Sequence, residues 1–120
     1  WTHESEVPTI NSFDIGIMPL PDNEWTKGKC AMKGLQYMAL KVPTIMSPVG
    51  VNKEIIQHGV NGYLASTNEE WEQYLELLIN DANLRKTIGE AGYQTILKDF
   101  CVDANKTKYL KAINFVLNQK

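Results

Sequence analysis

Two short apolar runs, separated by a segment of helical periodicity, constrain this chain more than any other feature. Residues 13–20 (Phe-Asp-Ile-Gly-Ile-Met-Pro-Leu) and residues 42–47 (Val-Pro-Thr-Ile-Met-Ser) are compact and lack a clean alternation of apolar and polar positions. Such runs are typical of strands buried on both faces of a parallel sheet. Residues 29–40 are predicted to form the helix that connects them, because apolar side chains recur there at helical spacing, at Met32, Leu35, Met38 and Ala39.

A third strand is predicted at residues 62–65, directly after the turn signal Asn61-Gly62. The turn Pro48-Val49-Gly50 leads from the second strand into a short helix predicted at residues 53–58, with Asn52 as its cap. His58 would then lie at a helix end, where a partial positive charge is favourable, so both His58 and the Asn61-Gly62 pair are interpreted as structural.

Residues 67–119 are predicted to be helical. The first helix begins with the capping box Thr67-Asn68-Glu69-Glu70, and Asp81 and Asp103 are the predicted caps of the second and third helices. Apolar residues at helical spacing give each helix a packing face, which in the third helix consists of Leu110, Ile113 and Leu117.

The predicted fold class is therefore α/β, a Rossmann-like parallel sheet with flanking helices. Strands and helices alternate over residues 13–65, and helices follow over residues 67–119. Three strands are few for a nucleotide-binding sheet, so residues 1–120 are expected to form a single, truncated domain whose upstream strands are missing. Ligands of such open sheets bind beyond the carboxyl ends of the strands, here the loops at residues 19–28 and 47–52.

Composition excludes several classes of function. The net charge is −2 and Arg85 is the only arginine, which argues against a nucleic-acid partner. Cys30 and Cys101 have no C-x-x-C spacing, so neither a metal site nor a disulfide framework is expected. Because no apolar run approaches the length of a membrane span, and the cysteines indicate a reducing compartment, the expected location is cytoplasmic.

The segment that opens the first predicted helix carries the candidate chemistry. Gly28 leads into this helix, whose free N–H groups and positive dipole end would face the strand-end cleft and attract a phosphate. Lys29, Lys33 and Gln36 are spaced to lie on one stripe of the helix. The spacing alone also fits a solvent-facing stripe, which is the common role of helical lysines.

Four sequence blocks, in order, resemble the C-terminal domain of GT-B glycosyltransferases of the large retaining family 4 group. The block at residues 13–20 matches the family's "FDIGIMPL" strand, and residues 36–43 resemble "Q-Y-M-A-x-G-x-P". Residues 47–56 resemble "S-x-V-G-x-x-x-E-I-I", and residues 58–64 resemble "x-G-x-N-G-Y-L". The resemblance extends from Phe13 to about Tyr109.

The chain departs from the family pattern at its two glutamates, which align with Gly28 and Gln36. In the family the second glutamate holds the ribose hydroxyls, a role that the Gln36 amide can share, whereas the first lies near the transferred sugar and has no carboxylate counterpart here. A subgroup with "G-K-C-x-x-K-x-x-Q-Y-M-A" is most similar, and in it the lysines take phosphate contacts. The resemblance thus implies no catalytic residue in this chain and the substrate-binding residues Gly28, Lys29, Cys30, Ala31, Met32, Lys33 and Gln36.

The resemblance further implies that the full-length enzyme moves a sugar from a UDP- or GDP-sugar to an acceptor hydroxyl, with retention, in glycan biosynthesis. Helix amides and ammonium groups would stabilise the departing diphosphate, so no metal or cofactor is expected. The stretch Asp22-Asn23-Glu24 does not match the Asp-x-Asp metal motif and is interpreted as a solvated loop. The donor loop needs small residues where its backbone approaches phosphate, and Gly28 and Ala31 fit that need.

The implied partner is a missing N-terminal acceptor domain of the same polypeptide, which would also provide any peripheral contact with the inner face of a membrane. Without it this chain is expected to be inactive. The last helix often returns to that domain in the family, so Tyr109, Phe115 and Val116 are expected to be exposed here. Pro48 to Gly50 line the cleft or form only a turn, and Glu54 is expected at the surface.

Two alternatives remain open, a nucleotide-sugar 2-epimerase or another enzyme with two Rossmann-like domains, and a non-catalytic nucleotide-binding or interaction module. A dehydrogenase is disfavoured because no G-x-G-x-x-G follows a predicted strand.

Overall fold

A computed structural model describes residues 2–119 and shows a three-stranded parallel sheet. Its strands are β1 (Gly16–Met18), β2 (Thr44–Met46) and β3 (Tyr63–Leu64), in the spatial order β1-β2-β3. Ile17 pairs with Ile45, which in turn pairs with Tyr63, so these three side chains share one face of the sheet. Trp1 and Lys120, the two ends of the predicted domain, lie outside the described residues.

Helices connect and flank these strands. Helix α1 (His3–Asn11) precedes β1, α2 (Glu24–Lys27) and α3 (Met32–Ala39) join β1 to β2, and α4 (Asn52–Ile55) joins β2 to β3. The chain ends with α5 (Asn68–Asn80), α6 (Ala82–Thr95), a π-helical turn (Ile96–Phe100) and α7 (Val102–Leu117). The predicted alternation of parallel strands and helices, followed by helices alone, is confirmed. None of the helices in residues 2–119 is long and apolar enough to cross a membrane.

The strand β2 is the centre of the core. Ile45 and Met46, adjacent residues of β2, point to opposite faces of the sheet and are both fully buried. Met46 packs with residues of α3 and α4, including Met38 and Ile55, whereas Ile45 packs with Leu78 of α5 and other residues on the second face. Two-sided burial is therefore confirmed for β2.

Two-sided burial is not found in β1. Ile17 is 46% exposed, although its strand neighbours Gly16 and Met18 are buried. Because β1 is the edge strand of the sheet, Ile17 lies beyond the area that the helices cover. The expectation that residues 13–20 are buried on both faces is wrong for this position.

Helix α3 approaches β2 closely because Gly34 carries no side chain. A Cβ atom at this position would come within 1.9 Å of the Met46 Cε and 2.7 Å of its Sδ. The helix begins at Met32 and not at residue 29, since Ala31 has a left-handed backbone with φ of 56°. Lys29 and Cys30 therefore belong to the preceding loop.

One predicted loop and two predicted helix caps require correction. Asn23 and Thr26 form a capping box, so the stretch interpreted as a solvated loop contains α2. Asn52 does not cap α4, because its amide donates instead to the Ser47 carbonyl, 2.8 Å away. The N-cap of α7 is Cys101, whose Sγ accepts from the Ala104 amide, and Asp103 lies in the first turn.

His58 does not end a helix, because α4 stops at Ile55. Its Nδ1 accepts a hydrogen bond from the Leu64 amide at 3.1 Å, and its ring packs edge-on against Tyr63 and Tyr74. The side chain of Asn61 is buried and bonds to the backbone of Ile55 and Gln57. These contacts hold the turn before β3.

The helix α7 has no buried residue and lies away from the sheet, in contact with the π-helical turn. Leu110, Ile113 and Leu117, predicted as its packing face, are 54–60% exposed. Tyr109, Phe115 and Val116 are exposed as expected. The prediction of a packed third helix is therefore wrong within residues 2–119, because no other described element covers this face.

Candidate functional site

The carboxyl ends of β1 and β2 are joined by a buried serine. The Ser47 Oγ accepts a hydrogen bond from the Leu20 amide at 2.9 Å, so the segment leaving β1 is fixed to the segment leaving β2. The Ser47 carbonyl accepts from the buried Asn52 amide, which fixes the same segment to α4. The two loops at the strand ends thus form one rigid edge.

A cavity of about 280 Å³ opens at this edge. Its walls come from all three strand ends: Leu20, Pro21, Asp22, Ser47, Pro48, Val49 and Ser66. Pro48 and Val49 therefore line the cleft, whereas Gly50 makes the turn and contacts the backbone of Lys27. Both roles that the sequence left open for residues 48–50 are present.

Next to this edge lies the uncapped start of α3. No side chain among residues 2–119 caps the helix, and its first-turn N–H groups have no acceptor within the helix. Met32 is 59% exposed, while Ala31 is fully buried in the core and anchors the helix start. The helix end is open to solvent on one side, as an anion site at a helix N-terminus requires.

Lys29 is exposed in the loop that leads to α3, and not on the helix. The predicted stripe of Lys29, Lys33 and Gln36 is therefore wrong for its first member, since the left-handed Ala31 interrupts the helical spacing. Lys29 makes no ion pair with any described carboxylate. By contrast, Lys27 lies 2.9 Å from Glu24 and 3.6 Å from Asp22, and hydrogen bonding to Glu24, followed by the charge of Asp22, raises the pKa of Lys27.

Lys33 and Gln36 share one face of α3 and meet Glu6 of α1. The Gln36 Nε2 donates to the Glu6 Oε1 at 2.8 Å, and the Lys33 Nζ lies 3.6 Å from the same oxygen. The Gln36 Oε1 is buried and accepts no hydrogen bond from the described residues. Glu6 was not predicted as a site residue, because a contact across thirty residues leaves no local sequence signal.

Gly28 is not required by the fold. Its φ is −78°, which any residue adopts, and a Cβ there would be 3.5 Å from the Trp25 carbonyl oxygen, an ordinary contact. Cys30 is exposed next to it, and both cysteines are free thiols. No group of His, Cys, Asp or Glu side chains that could hold a metal ion occurs in the described part of the chain.

Glu54 is exposed on α4, as expected, and contributes to a cavity of about 420 Å³. That cavity reaches Cys30 of the loop before α3 and ends at the π-helical turn, at Asp99 and Phe100. Ala31 packs in one core cluster with Met18 and Met46, the last residues of β1 and β2, so the structure brings the start of α3 to the strand ends. None of residues 28–36 lines the cavity there, and Cys30 lines the second cavity instead.

The comparisons with known proteins agree with this architecture. The family described as glycosyl transferases group 1 matches residues 24–95, which is more than half of the chain and includes the loop and helix described above. No curated protein matches the chain at a significant level.

A similar solved structure is the C-terminal domain of a glycosyl transferase group 1 family protein (LpcC) from Francisella tularensis. It is 25% identical and superimposes with a TM-score of 0.69. The match covers 85% of this chain and 51% of the other, so this chain spans about half the length of that structure. With the fold, the order of its strands and the family match in agreement, the chain belongs to the glycosyl transferases group 1 family.

Proposed function

We propose that this chain is the donor-binding half of a glycosyltransferase that transfers a sugar from a nucleoside-diphosphate sugar to an acceptor hydroxyl. One observation carries the proposal. The uncapped start of α3 lies beside the strand ends, because Ala31 packs in one core cluster with Met18 and Met46, and Lys29 is exposed in the loop that leads to it. Members of this family bind nucleotide-sugar donors, and a diphosphate is the part of such a donor that this arrangement recognises.

The proposed chemistry of the site is electrostatic. As the bond between sugar and diphosphate breaks, negative charge grows on the leaving oxygen. The first-turn amides of α3 point along the helix axis, and Lys29 brings a positive charge that no described carboxylate neutralises. Preorganised donors of this kind stabilise a developing anion without rearranging during the reaction. Transfer in the full-length enzyme then proceeds without a metal ion, and with retention, as family membership suggests.

The proposed domain is incomplete in this chain. In support, β1 is an edge strand with an exposed Ile17, and α7 presents seven apolar side chains to solvent. Besides Phe115, these are Val102, Tyr109, Leu110, Ile113, Val116 and Leu117, which recur on one side of a helix. In the proposal, the upstream strands of the sheet pair with the uncovered edge of β1. The acceptor-binding domain of the same polypeptide packs on the uncovered face of α7.

Calorimetric titration of this chain with UDP and with GDP tests the proposal. We expect one of the two to bind at sub-millimolar to millimolar concentration, and its affinity to fall several-fold between about 0.1 M and 1 M salt, since the screening length shortens from about 10 Å to about 3 Å. Uridine and guanosine are the controls, because without phosphate their binding has no such salt dependence. Absence of binding by both diphosphates at millimolar concentration would refute the proposal.

A further inference from the structure

Two adjoining cavities lie between α4 and the end of α6. One, of about 510 Å³, is lined by residues 53–57 and Asn61 on one side and by four residues in the range 94–99 on the other. The second, of about 420 Å³, shares four lining residues with the first and reaches Cys30. Each volume falls within the range of about 300–1,000 Å³ that is typical of small-molecule sites. The two cavities together are called the α4–α6 cleft below.

A buried asparagine joins the two walls of this cleft. The Asn61 Nδ2 donates to the Ile55 carbonyl oxygen at 3.0 Å and to the Thr95 Oγ1 at 2.9 Å. Its Oδ1 accepts from the Gln57 amide at 2.7 Å. Because Asn61 is buried, water does not compete for these bonds. The end of α4 and the end of α6 are therefore held together, which gives the cleft a preformed shape.

The lining of the cleft carries both signs of charge in equal number. Its exposed polar side chains are Lys53, Glu54, Gln57, Gln94, Lys98 and Asp99. None of the two ammonium groups and two carboxylates forms an ion pair with another described residue. A cleft lined by one sign of charge attracts ions of the opposite sign, so this balanced lining favours neither an anion nor a cation. It favours a neutral ligand whose groups both donate and accept hydrogen bonds.

A sugar has this chemistry. A hydroxyl group is both a donor and an acceptor, so sugar hydroxyls can donate to Glu54 and Asp99 and accept from Lys53. The apolar face of a sugar ring suits the second cavity, where Phe100 is 42% exposed and lines the wall with Val51. An aromatic ring combined with a few polar groups is the usual composition of a small-molecule site.

The position of the cleft relates it to the acceptor. The second cavity reaches Cys30, two residues before the start of α3, where the proposed donor diphosphate binds. We propose that the α4–α6 cleft binds a neutral oligosaccharide, the non-reacting part of the acceptor, in addition to the contacts that the acceptor-binding domain makes. Each cavity is large enough for a small molecule, so the cleft holds more than one sugar residue. The inference rests on the proposed function and assigns its acceptor to the oligosaccharides.

Amide chemical shifts of the 120-residue chain test the inference with maltotriose, cellotriose and mannotriose. At least one of them should perturb Gln57, Gln94 and Phe100 at millimolar concentration. It should bind more tightly than its monosaccharide, glucose or mannose, by roughly threefold or more, because the second cavity adds contacts. The inference is wrong if all three trisaccharides leave these residues unperturbed, or if their shifts are centred on another surface.

The matched variants are Gln94→Ala and Phe100→Leu in the cleft, with Gln73→Ala on α5 and Phe115→Leu on α7 as controls. Each cleft variant should weaken trisaccharide binding by roughly threefold to tenfold, the loss of one contact, and leave the binding of UDP or GDP unchanged. The controls should change neither, and equal weakening by cleft and control variants would overturn the inference.

The two nucleotides separate this inference from the proposed function. If UDP or GDP binds and no trisaccharide does, the inference alone fails. If neither kind of probe binds, both fail. If a trisaccharide binds in the cleft and neither nucleotide binds, the donor site is refuted, and the acceptor role of the cleft is refuted with it.

Discussion

The backbone of Lys27, at the end of α2, lies directly against Gly50, in the turn that follows β2. A Cβ atom on Gly50 would be 2.7 Å from the Lys27 carbonyl oxygen, and Gly50 also has a positive φ of 54°. This contact holds the loop before α3 against the end of the neighbouring strand. The position of the proposed anion site therefore depends on a residue that need not touch the ligand.

Replacing Gly50 with alanine should destabilise the fold by two effects, backbone strain and collision with Lys27. The matched control is Gly59→Ala, because Gly59 has a φ of 75° and open space around its Cβ position. Strain alone predicts a loss of about 1 kcal/mol for Gly59→Ala. Gly50→Ala should lose on the order of 2–3 kcal/mol, because the collision is with backbone that cannot move aside. Urea unfolding measures both, and equal losses would show that the Lys27 contact contributes nothing.

Ser47→Ala tests the link between the ends of β1 and β2. The substitution leaves the Leu20 amide without its acceptor, and an unpaired, partly buried donor costs roughly 1–3 kcal/mol. Ser66→Ala, at an exposed serine on the same cavity, should have little effect. Hydrogen exchange of the Leu20 amide should be faster in Ser47→Ala only. Unchanged exchange would mean that the two loops are held together by other contacts.

The backbone is also strained at Lys41, just after the end of α3. Lys41 has a positive φ of 60°, where glycine is favoured, and its ammonium lies 2.7 Å from Glu90. Lys41→Gly and Lys41→Ala both remove the ion pair, but only glycine relieves the backbone, so the glycine variant should be more stable than the alanine variant by about 1 kcal/mol. Thermal unfolding of the two variants measures the difference, and an alanine variant at least as stable would contradict it.

The same two variants predict a change in pH dependence. A hydrogen bond from Lys41, with a smaller one from Gln94, lowers the pKa of Glu90 from its ordinary value of 4.5. A lowered pKa stabilises the fold above pH 4.5, and that stabilisation is lost as the pH falls through the folded-state value. Removal of Lys41 should raise the Glu90 pKa and flatten the stability profile below pH 4.5. Carboxyl NMR titration of Glu90 checks this, and an unchanged pKa would contradict the assigned cause.

The fold was largely predictable from the sequence, because it follows from local patterns. The run at residues 42–47 has no polar face, which gave β2 its burial on both sides, and the Thr67 and Asp81 signals gave the starts of α5 and α6. Ile17 and α7 were mispredicted for a different reason. Apolar periodicity indicates that a face is to be covered, but it does not indicate whether the covering element lies within the same chain.

The site was only partly predictable. Glycine and lysine spacing placed a helix start near a strand end, as found, but could not place Lys29 off the helix, because the left-handed Ala31 has no sequence signal of its own. The Glu6 contact with Gln36 was not predictable either. It arises when α1 packs on α3, and periodicity in a single sequence does not report such pairing.

Lys29, in the loop before α3, and Lys33, in its first turn, should both contribute more to diphosphate binding than a lysine elsewhere on the surface. Lys29→Ala should weaken UDP or GDP binding several-fold, since Lys29 has no described carboxylate beside it, and Lys33→Ala should weaken it as well despite its pairing with Glu6. The control is Lys53→Ala on α4, which removes the same charge from another surface and should have a smaller effect. If titration calorimetry shows that all three variants weaken binding equally, general charge attraction, and not the α3 site, governs binding.

The most direct measurement is the set of backbone amide shifts that inorganic pyrophosphate perturbs in the uniformly labelled chain. If the start of α3 binds diphosphate, the largest changes fall on the amides of Met32, Lys33 and Gly34, with smaller ones at Lys29, and they disappear at high salt. Changes centred elsewhere, for example on α4 or α7, or the absence of any change at millimolar pyrophosphate, would contradict the account.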